Sequence, residues 1–390
     1  MIKQDIPKIR FYSYQGAWTE NKIADIVKIS AGGDVDKVKL KESGKYPVIA
    51  NALTNKGIVG FYEDYKVKAP AVTVTGRGDV GYAVARHENF TPIVRLLTLQ
   101  SEKIDVDYFE NQINSMRILN ESTGVPQLTA PQLGNYKVYH PKIEEQSAIG
   151  ILFRTLDDLL ASYKDNLINY QSLNATMLSK MFPKAGQTVP EIRLDGFEGE
   201  WKVQSLKELA RFSKGNGYTK SDLVNSGNEI ILYGQLYTNY QTVISMVNTF
   251  VLETREKSVI SKGGEVVVPA SGESAEDISR ASVIEKSGVI IGGDLNIIYP
   301  DENKVDSIFL ALTISNGSQQ KELIKRAQGK SVVHLRNNDL EKVVLHYPSM
   351  EEQQAIGACF SNLDNLINSH QEKISQLEIL KKKLLQDMFI

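Results

Sequence analysis

The 390-residue sequence has little of several features that would narrow its class at once. Its single cysteine, Cys359, excludes a disulfide within the chain and fits a reducing cytoplasm. No apolar run approaches about 18 residues, so no membrane span is expected, and the first residues lack the apolar core of an export signal. The net charge of −2 excludes a uniformly basic surface but leaves local basic patches open.

The sequence also lacks the motifs of common catalytic centres. It contains no phosphate-binding loop, no Asn-Pro-Pro-Tyr stretch of an amino-methyltransferase and no Gly-x-Ser-x-Gly nucleophile turn. Gly215-Asn-Gly217 is a lone pair of glycines, which is typical of a turn. The five histidines show no metal-ligand spacing. We therefore expect neither a catalytic residue nor a metal site in this chain.

What the sequence does contain is an internal duplication. The stretch Pro141-Lys-Ile-Glu-Glu-Gln-Ser-Ala-Ile-Gly150 returns 207 positions later, and 16 of the 42 positions from 141 to 182 are identical in the copy. A second repeat, from Pro7-Lys-Ile-Arg10 to Trp18, returns 183 positions later and ends at Trp201. The stretches between these repeats hardly match. The chain is therefore predicted to have a constant frame that holds two variable modules.

The repeated segments are predicted to be long helices. Proline precedes each segment, Pro183 ends the first, and Ser349 and Glu352 have the spacing of a capping box. Apolar residues recur every seven positions, which favours a coiled coil. The recurring positions are Ile149, Leu156, Tyr163, Tyr170 and Met177, accompanied by Leu152, Leu159, Asn166 and Leu173, and Ile356, Leu363, His370, Leu377 and Leu384, accompanied by Leu366 and Leu380.

Two helices of this kind cannot each bury an apolar stripe alone. Some 40 residues make a rod of roughly 60 Å, so we expect the two rods to pack on each other. The recurring positions would form the contact seam between the two helices. Polar residues in this seam, here Asn166 and His370, would lower stability but help to fix the register.

Both modules are predicted to be mostly strand. Short β-rich runs bounded by turn residues lie at 71–75, 264–268, 288–292 and 295–299, and helical patterns lie at 107–118 and 307–325. The predicted fold class is α+β, with an internal pseudo-twofold duplication. It consists of two mixed, β-rich domains at 1–140 and 184–347, separated by two long antiparallel coiled-coil helices at 141–183 and 348–390.

Two dissimilar modules, each followed by a helix that opens Pro-x-x-Glu-Glu-Gln-x-Ala-Ile-Gly, resemble the specificity subunit of a type I restriction-modification enzyme. The resemblance covers the whole chain. It implies that the modules are target recognition domains and that the helices are conserved spacers. It further implies a non-catalytic, cytoplasmic subunit whose two domains each read one half of an asymmetric, bipartite target in double-stranded DNA.

The resemblance also implies partners. Methyltransferase subunits, two per chain, would dock on the helices, and restriction or translocase subunits would bind through them. S-adenosylmethionine, ATP and Mg²⁺ would then be bound by those partners and not by this chain. Two alternatives stay open, namely the recognition subunit of a type IIB-like restriction system and a coiled-coil scaffold that does not bind DNA.

The candidate site residues lie in module loops and at the helix starts. Arg77 is the first candidate, because Thr75-Gly-Arg77-Gly-Asp-Val-Gly81 resembles the Gly-x-x-Gly turn that follows a strand in these domains, whereas the second module has Ser271-Gly-Glu-Ser274 instead. The predicted DNA-binding residues are Asn51, Lys56, Arg77, Arg86, Lys214, Tyr218, Lys220, Gln235, Arg326 and Lys330. The predicted partner-binding residues are Glu144, Glu145, Gln146, Glu351, Glu352 and Gln353.

Overall fold

A computed structural model describes residues 6–118, 126–329 and 332–390, which fold into two compact units. Unit 1 runs to Asp165 and also includes Gln371–Ile390, and unit 2 is Asn166–His370. Each unit therefore holds one variable module and part of each long helix. In the described ranges, no helix is both long and apolar enough to cross a membrane.

Unit 1 combines short strands with helices. Its strands are β1 (Thr19–Lys22), β2 (Lys28–Ala31), β3 (Tyr46–Ile49), β4 (Ile58–Tyr62), β5 (Ala71–Val74), β6 (Ala83–Arg86), β7 (Thr91–Pro92), β8 (Leu97–Gln100) and β9 (Lys137–His140). Its helices are α1 (Ile23–Ile26), α2 (Val106–Ser115), α3 (Ala130–Gly134) and the first part of α4 (Ile143–Lys180). The strands form a β1-β9 ribbon, a sheet in the order β2-β8-β5-β6 and a sheet in the order β4-β3-β7.

Unit 2 is built in the same style with more strands. Its strands are β10 (Lys202–Ser205), β11 (Ala210–Lys214), β12 (Leu223–Val224), β13 (Asn228–Ile231), β14 (Val243–Ile244), β15 (Phe250–Val251), β16 (Val259–Ile260), β17 (Glu265–Pro269), β18 (Ser271–Gly272), β19 (Ser282–Ile284), β20 (Ile290–Ile291), β21 (Leu295–Pro300), β22 (Val333–His334) and β23 (Val344–Tyr347). Its helices are α5 (Leu206–Leu209), α6 (Gln235–Thr238), α7 (Ala275–Ile278), α8 (Ser307–Ser315), α9 (Gly317–Arg326), α10 (Asn337–Leu340) and the first part of α11 (Met350–Asp387).

The modules share a strand topology although their sequences hardly match. In the larger sheets, β8 lies between β2 and β5 with β6 beyond, as β21 lies between β11 and β17 with β19 beyond. In the smaller sheets, the parallel pair β3-β7 corresponds to β13-β20, and each pair has an antiparallel neighbour, β4 or β15. Unit 2, which has the longer module, adds β12, β14 and β16 to these sheets and has a separate β18-β22 ribbon. The predicted mixture of strand and helix is confirmed.

The element predictions hold with three changes, the first being that the helix predicted at 107–118 is α2 and ends at Ser115. Strands β5, β17 and β21 follow the predicted β-rich runs, whereas the run at 288–292 supplies only the two-residue β20. The helix predicted at 307–325 is interrupted, because Asn316 has an extended backbone with φ −142° between α8 and α9. Asp105 and Asp306 cap α2 and α8 by accepting hydrogen bonds from Tyr108 N at 3.0 Å and Phe309 N at 2.9 Å.

The core of each unit contains the tryptophan of the repeated opening and the Met-Phe pair that ends a long helix. In unit 1, Phe389 lies 5.4 Å from Tyr108, and Tyr108 lies 6.1 Å from Trp18, between ring centroids. In unit 2, Phe182 and Trp201 both pack on Phe309, at 5.8 and 5.6 Å. The identity of the closing Met-Phe pairs in the repeat therefore follows from the same core contact in both units.

The long helices bury a seven-residue pattern that differs in part from the predicted one. The predicted positions that recur from Ile149 and from Ile356 every seven residues are buried or half-buried. Of the accompanying positions, Leu159, Leu173, Leu366 and Leu380 are 41–48% exposed. The companion positions are instead Phe153, Leu160, Leu167 and Asn174 in α4, and Phe360, Ile367, Ile374 and Lys381 in α11. Adjacent leucines such as Leu159 and Leu160 fit either choice, so the pattern alone did not decide between them.

Within each unit the two helical stretches run in opposite directions. In unit 1, Lys164 pairs with Glu378 at 2.7 Å, and Asp157, earlier in α4, pairs with Lys381, later in α11. In unit 2, the Tyr170 ring lies 5.1 Å from His370, and Asn174 donates to Asp364 at 3.3 Å. His370 is half-buried as predicted for a seam residue, whereas Asn166 is exposed and that prediction was wrong.

Candidate nucleic-acid interface

The polar residues of the repeated frame form an internal clasp in unit 1. The Arg10 guanidinium donates to both carboxylate oxygens of Glu145, at 2.7 and 2.6 Å, and also to the carbonyl of Gly16 at 2.5 Å. Glu145 is only 2% exposed. This two-point geometry is the strongest form of an arginine–carboxylate pair, and the pairing raises the pKa of Arg10.

The same clasp is present in unit 2. Arg193 donates to both oxygens of Glu352 at 2.7 Å and to Gly199 O at 2.6 Å. Glu352 N donates to Ser349 Oγ at 3.4 Å, which is the first half of the predicted capping box. The second half does not form, because the Glu352 carboxylate is bound to Arg193.

The glutamine that follows each clasped glutamate ties the helix to its module. Gln146 accepts from Asp105 N at 3.1 Å and donates to Pro141 O at 2.9 Å. Gln353 accepts from Asp306 N at 2.9 Å and donates to Pro348 O at 3.1 Å. Both side chains therefore fix the N-terminus of α2 or α8 against the start of α4 or α11.

These contacts divide the predicted partner-binding residues into two groups. Glu145, Gln146, Glu352 and Gln353 are at most 2% exposed and use their polar atoms inside their own unit. Their burial leaves no side-chain surface for a partner, which favours an internal, structural role. Glu144 and Glu351 are exposed on the first turn of α4 and α11, so the hypothesis of partner contact is kept for these two positions.

Three turns of unit 1 meet, namely the turn after β3, the turn after β5 and the turn between β7 and β8. The Asn51 amide donates to Val94 O at 2.6 Å and accepts from Gly76 N at 2.7 Å, so this side chain links all three turns. A side chain at Gly76 would collide with Arg95 O and Leu128 O, both 2.9 Å from its Cβ position. The exposed Arg77 is therefore presented by a turn that requires glycine for close packing.

The other predicted residues of this module have different surroundings. Lys56 is exposed, with a left-handed backbone at φ 49°. Arg86 is 8% exposed, and its guanidinium donates to Thr73 Oγ1 at 2.9 Å and to Lys56 O at 2.7 Å. Burial lowers the pKa of Arg86 to about 10. This burial favours a supporting role for Arg86, whose hydrogen bond to Lys56 O holds the turn on which Lys56 is exposed.

The turn after β17 replaces the arginine turn in unit 2. Leu128 N donates to Gly76 O at 2.9 Å, and Leu335 N donates to Ala270 O at 3.0 Å in the corresponding place. Ser271 therefore occupies the position of Arg77. The sequence had identified this replacement, and the backbone hydrogen bonds now give the register.

Several predicted residues of unit 2 have internal contacts. Tyr218 is 7% exposed, and its hydroxyl donates to Glu253 O at 3.1 Å and accepts from Arg255 N at 2.8 Å. Gln235 accepts from Leu232 N at 2.9 Å and donates to Thr249 Oγ1 at 2.6 Å. Both residues stabilise loops through these hydrogen bonds, which join positions distant in the sequence.

The charged candidates of unit 2 are more accessible. Lys214 and Lys220 are exposed, Arg326 is half-buried and donates to Glu322, and Lys330 lies outside the described residues. Sequence reasoning missed Arg255, whose guanidinium lies 4.2 Å from the centroid of the Tyr218 ring and pairs with Asp222. It also missed Arg95, since nothing in the sequence indicated that its turn lies beside Arg77.

The described ranges contain no cluster of His, Cys, Asp and Glu that could hold a metal ion. The site chemistry is that of exposed guanidinium and ammonium groups on turns held by buried hydrogen bonds. Such groups bind phosphates and the acceptor atoms of base edges.

Comparisons with known proteins point the same way. The sequence profile described as type I restriction modification DNA specificity domain matches this chain twice, over residues 15–170 and 198–379. The type I restriction enzyme MjaVIII specificity subunit of Methanocaldococcus jannaschii is 22% identical over 277 residues, which cover 68% of this chain and 64% of that subunit, less than two thirds of its length. A Mycoplasma pneumoniae protein provisionally named a type I specificity subunit is 23% identical over 374 residues, or 93% of this chain and 94% of that protein.

The fold has a solved counterpart. The crystal structure of the type I restriction-modification system S subunit from M. genitalium matches with a TM-score of 0.65 and 16% identity, over 99% of both chains. At that identity the likeness concerns the fold. The two profile matches cover most of the sequence and confirm the resemblance found in the repeats. The chain belongs to the type I restriction modification DNA specificity domain family and carries two copies of that domain.

Proposed function

We propose that the chain is the non-catalytic DNA-specificity subunit of a type I restriction-modification complex, acting in the cytoplasm. The observation that carries the proposal is the contrast between frame and modules. The arginine–glutamate clasp is the same in both units, whereas the equivalent position is the exposed Arg77 in one module and the buried Ser271 in the other. A repeated frame with two different surfaces suits a chain that meets two different half-sites.

In this proposal the target is asymmetric and bipartite, and the long helices set its spacer as an antiparallel coiled coil with pseudo-twofold symmetry. Each helix has 38 residues. At 1.5 Å per residue, each would be about 57 Å long and would span at most about 17 base pairs of duplex. About one helical turn of unread DNA between the half-sites is compatible with that length.

The partners follow from the same reasoning. Two methyltransferase subunits would dock near the helix starts, where Glu144 and Glu351 are exposed, and restriction subunits would bind through them. S-adenosylmethionine, ATP and Mg²⁺ would be bound by those subunits. Charge reversal at both glutamates, with Glu372→Lys on an exposed face of α11 as control, should weaken assembly in size-exclusion chromatography.

The deciding experiment is a methylated-base map of a plasmid from a host that expresses this chain with the methyltransferase subunit encoded beside it. The expected result is one split, asymmetric motif, methylated on both strands and lost when this gene is deleted. A map that does not change on deletion would favour the scaffold alternative. A neighbouring gene for a fused methylase-nuclease would favour the type IIB-like system.

A further inference from the structure

A strained turn lies beside Arg77 in unit 1. Val94 and Arg95 form the two-residue turn between β7 and β8, with φ values of 50° and 62°. L-residues avoid this left-handed region, and a β-branched valine avoids it most strongly, because its Cβ substituents clash with the backbone. Val94 is also 41% exposed, so full burial of its side chain does not offset this strain.

The fold can make the same connection with less strain. In unit 2 the corresponding turn is Gly293–Asp294, because Ile49 O accepts from Ile93 N and Ile231 O accepts from Gly292 N, both at 2.9 Å. Only Asp294 has a left-handed backbone there, with φ 56°. Aspartate tolerates that region better than most residues. The valine in unit 1 is therefore not required by the connection itself.

The surrounding hydrogen bonds hold the strained conformation in place. Val94 N donates to Gly33 O at 2.8 Å, and Arg95 N donates to Gly32 O at 3.0 Å. The carbonyl of Val94 accepts from the Asn51 amide at 2.6 Å. Asn51, predicted as a DNA-binding residue, thus acts as a positioning residue. Strained turns that are fixed so completely are concentrated at functional sites.

The turn also adds to the charge beside Arg77. Arg95 and Arg77 are both exposed, and their turns touch where Gly76 packs against Arg95 O. Among the residues that the structure describes, neither guanidinium makes an ion pair. Two guanidinium groups without an ion pair among the described residues, together with the exposed Val94 side chain, form a surface suited to a base edge with acceptors and a thymine methyl group.

We propose that the Val94–Arg95 turn is a specificity-determining element of the first recognition domain. Arg95 donates hydrogen bonds to acceptors of a base edge in the major groove, and Val94 makes an apolar contact beside it. This inference rests on the proposed function, since it assigns part of the first half-site to one turn.

The test uses the complete complex with its methyltransferase subunits and two variants, Arg95→Ala and Val94→Gly. Arg95→Ala should lower affinity for the target about tenfold and relax one position of the first half-site, with the second half-site unchanged. Val94→Gly should raise the thermal midpoint and relax an adjacent position of the same half-site. Lys37→Ala, at an exposed position on another loop of unit 1, is the control and should change neither the methylation map nor the thermal midpoint of unfolding.

The outcomes separate this inference from the proposed function. If the wild-type complex methylates a split motif but both variants keep it unchanged, the turn does not read bases and the inference is overturned. A uniform loss of affinity without relaxed specificity would assign Arg95 to phosphate contact and would also overturn it. A wild-type map that does not depend on this gene overturns the proposed function, and this inference with it.

Discussion

Removing the arginine of one clasp should be among the most damaging single changes in the frame. In Arg193→Met, the Glu352 carboxylate, with 1% of its side chain exposed, loses both of its 2.7 Å hydrogen bonds from arginine. An unpaired buried carboxylate costs about 3–5 kcal/mol of unfolding free energy. The carbonyls of Glu198 and Gly199 lose their donors as well, so we expect the upper part of that range.

The assay is urea unfolding at pH 7, followed by circular dichroism, with Arg10→Met as the matched change in unit 1. Since Glu145 is bound in the same way, the two variants should lose similar amounts, each in the transition of its own unit. Lys184→Met is the control, because its 3.0 Å pair with Glu191 joins side chains that are 65% and 46% exposed. Such surface pairs contribute about 0–1 kcal/mol.

A double variant tests the cause. Arg193→Met with Glu352→Gln removes the buried charge together with its partner, so it should be more stable than Arg193→Met alone. If Arg193→Met cost no more than Lys184→Met, the clasp would not be a determinant of stability. A double variant as unstable as the single one would show that lost packing, and not the unpaired charge, causes the effect.

Three further predictions concern the helices. Burial raises the pKa of Asp364, so its ionisation opposes folding as the pH rises above about 4. Asp364→Asn should therefore stabilise the protein at pH 7 and lose that advantage near pH 3. An equal gain in melting temperature at both pH values would contradict this prediction. Gly150→Ala should lower the free energy of unfolding by about 1–3 kcal/mol, because the new Cβ would lie 2.5 Å from Asp105 Oδ1. Gly357→Ala, with nothing nearer than 3.4 Å to its Cβ position, should be close to neutral. Equal losses of stability for both variants in denaturant titrations would refute the close-packing argument. Inserting seven residues in both α4 and α11 keeps the contact positions in register and lengthens each helix by about 10 Å, so methylation mapping should show a spacer about three base pairs longer with both half-sites intact. An unchanged spacer would exclude the proposal that the helices set the spacer length.

The candidate interface was only partly predictable. Arg77 and Lys56 are exposed on turns, as a loop sequence rich in glycine indicates. Tyr218 belongs to a loop sequence of the same kind, whereas Arg86 ends β6 and Gln235 begins α6, and all three use their polar atoms inside the module. Burial of a loop side chain depends on which other loops pack against it, and that information lies far away in the chain.

By itself, the sequence determined the duplication, the two long helices and the mixed character of the modules. Identity at a fixed offset and recurrence every seven residues are properties of the linear chain, so they need no coordinates. The family resemblance rested on the same linear pattern.

Only the tertiary structure decided what the repeated polar residues do. Glu145 and Glu352 looked like surface groups for a partner, but each is bound by an arginine 135 or 159 positions earlier in the chain. Likewise, the tight apposition of the Arg77 and Arg95 turns depends on Asn51 and Gly76, which meet only after the sheet has formed. Such contacts join residues that are distant in sequence, so spacing within one segment carries no trace of them.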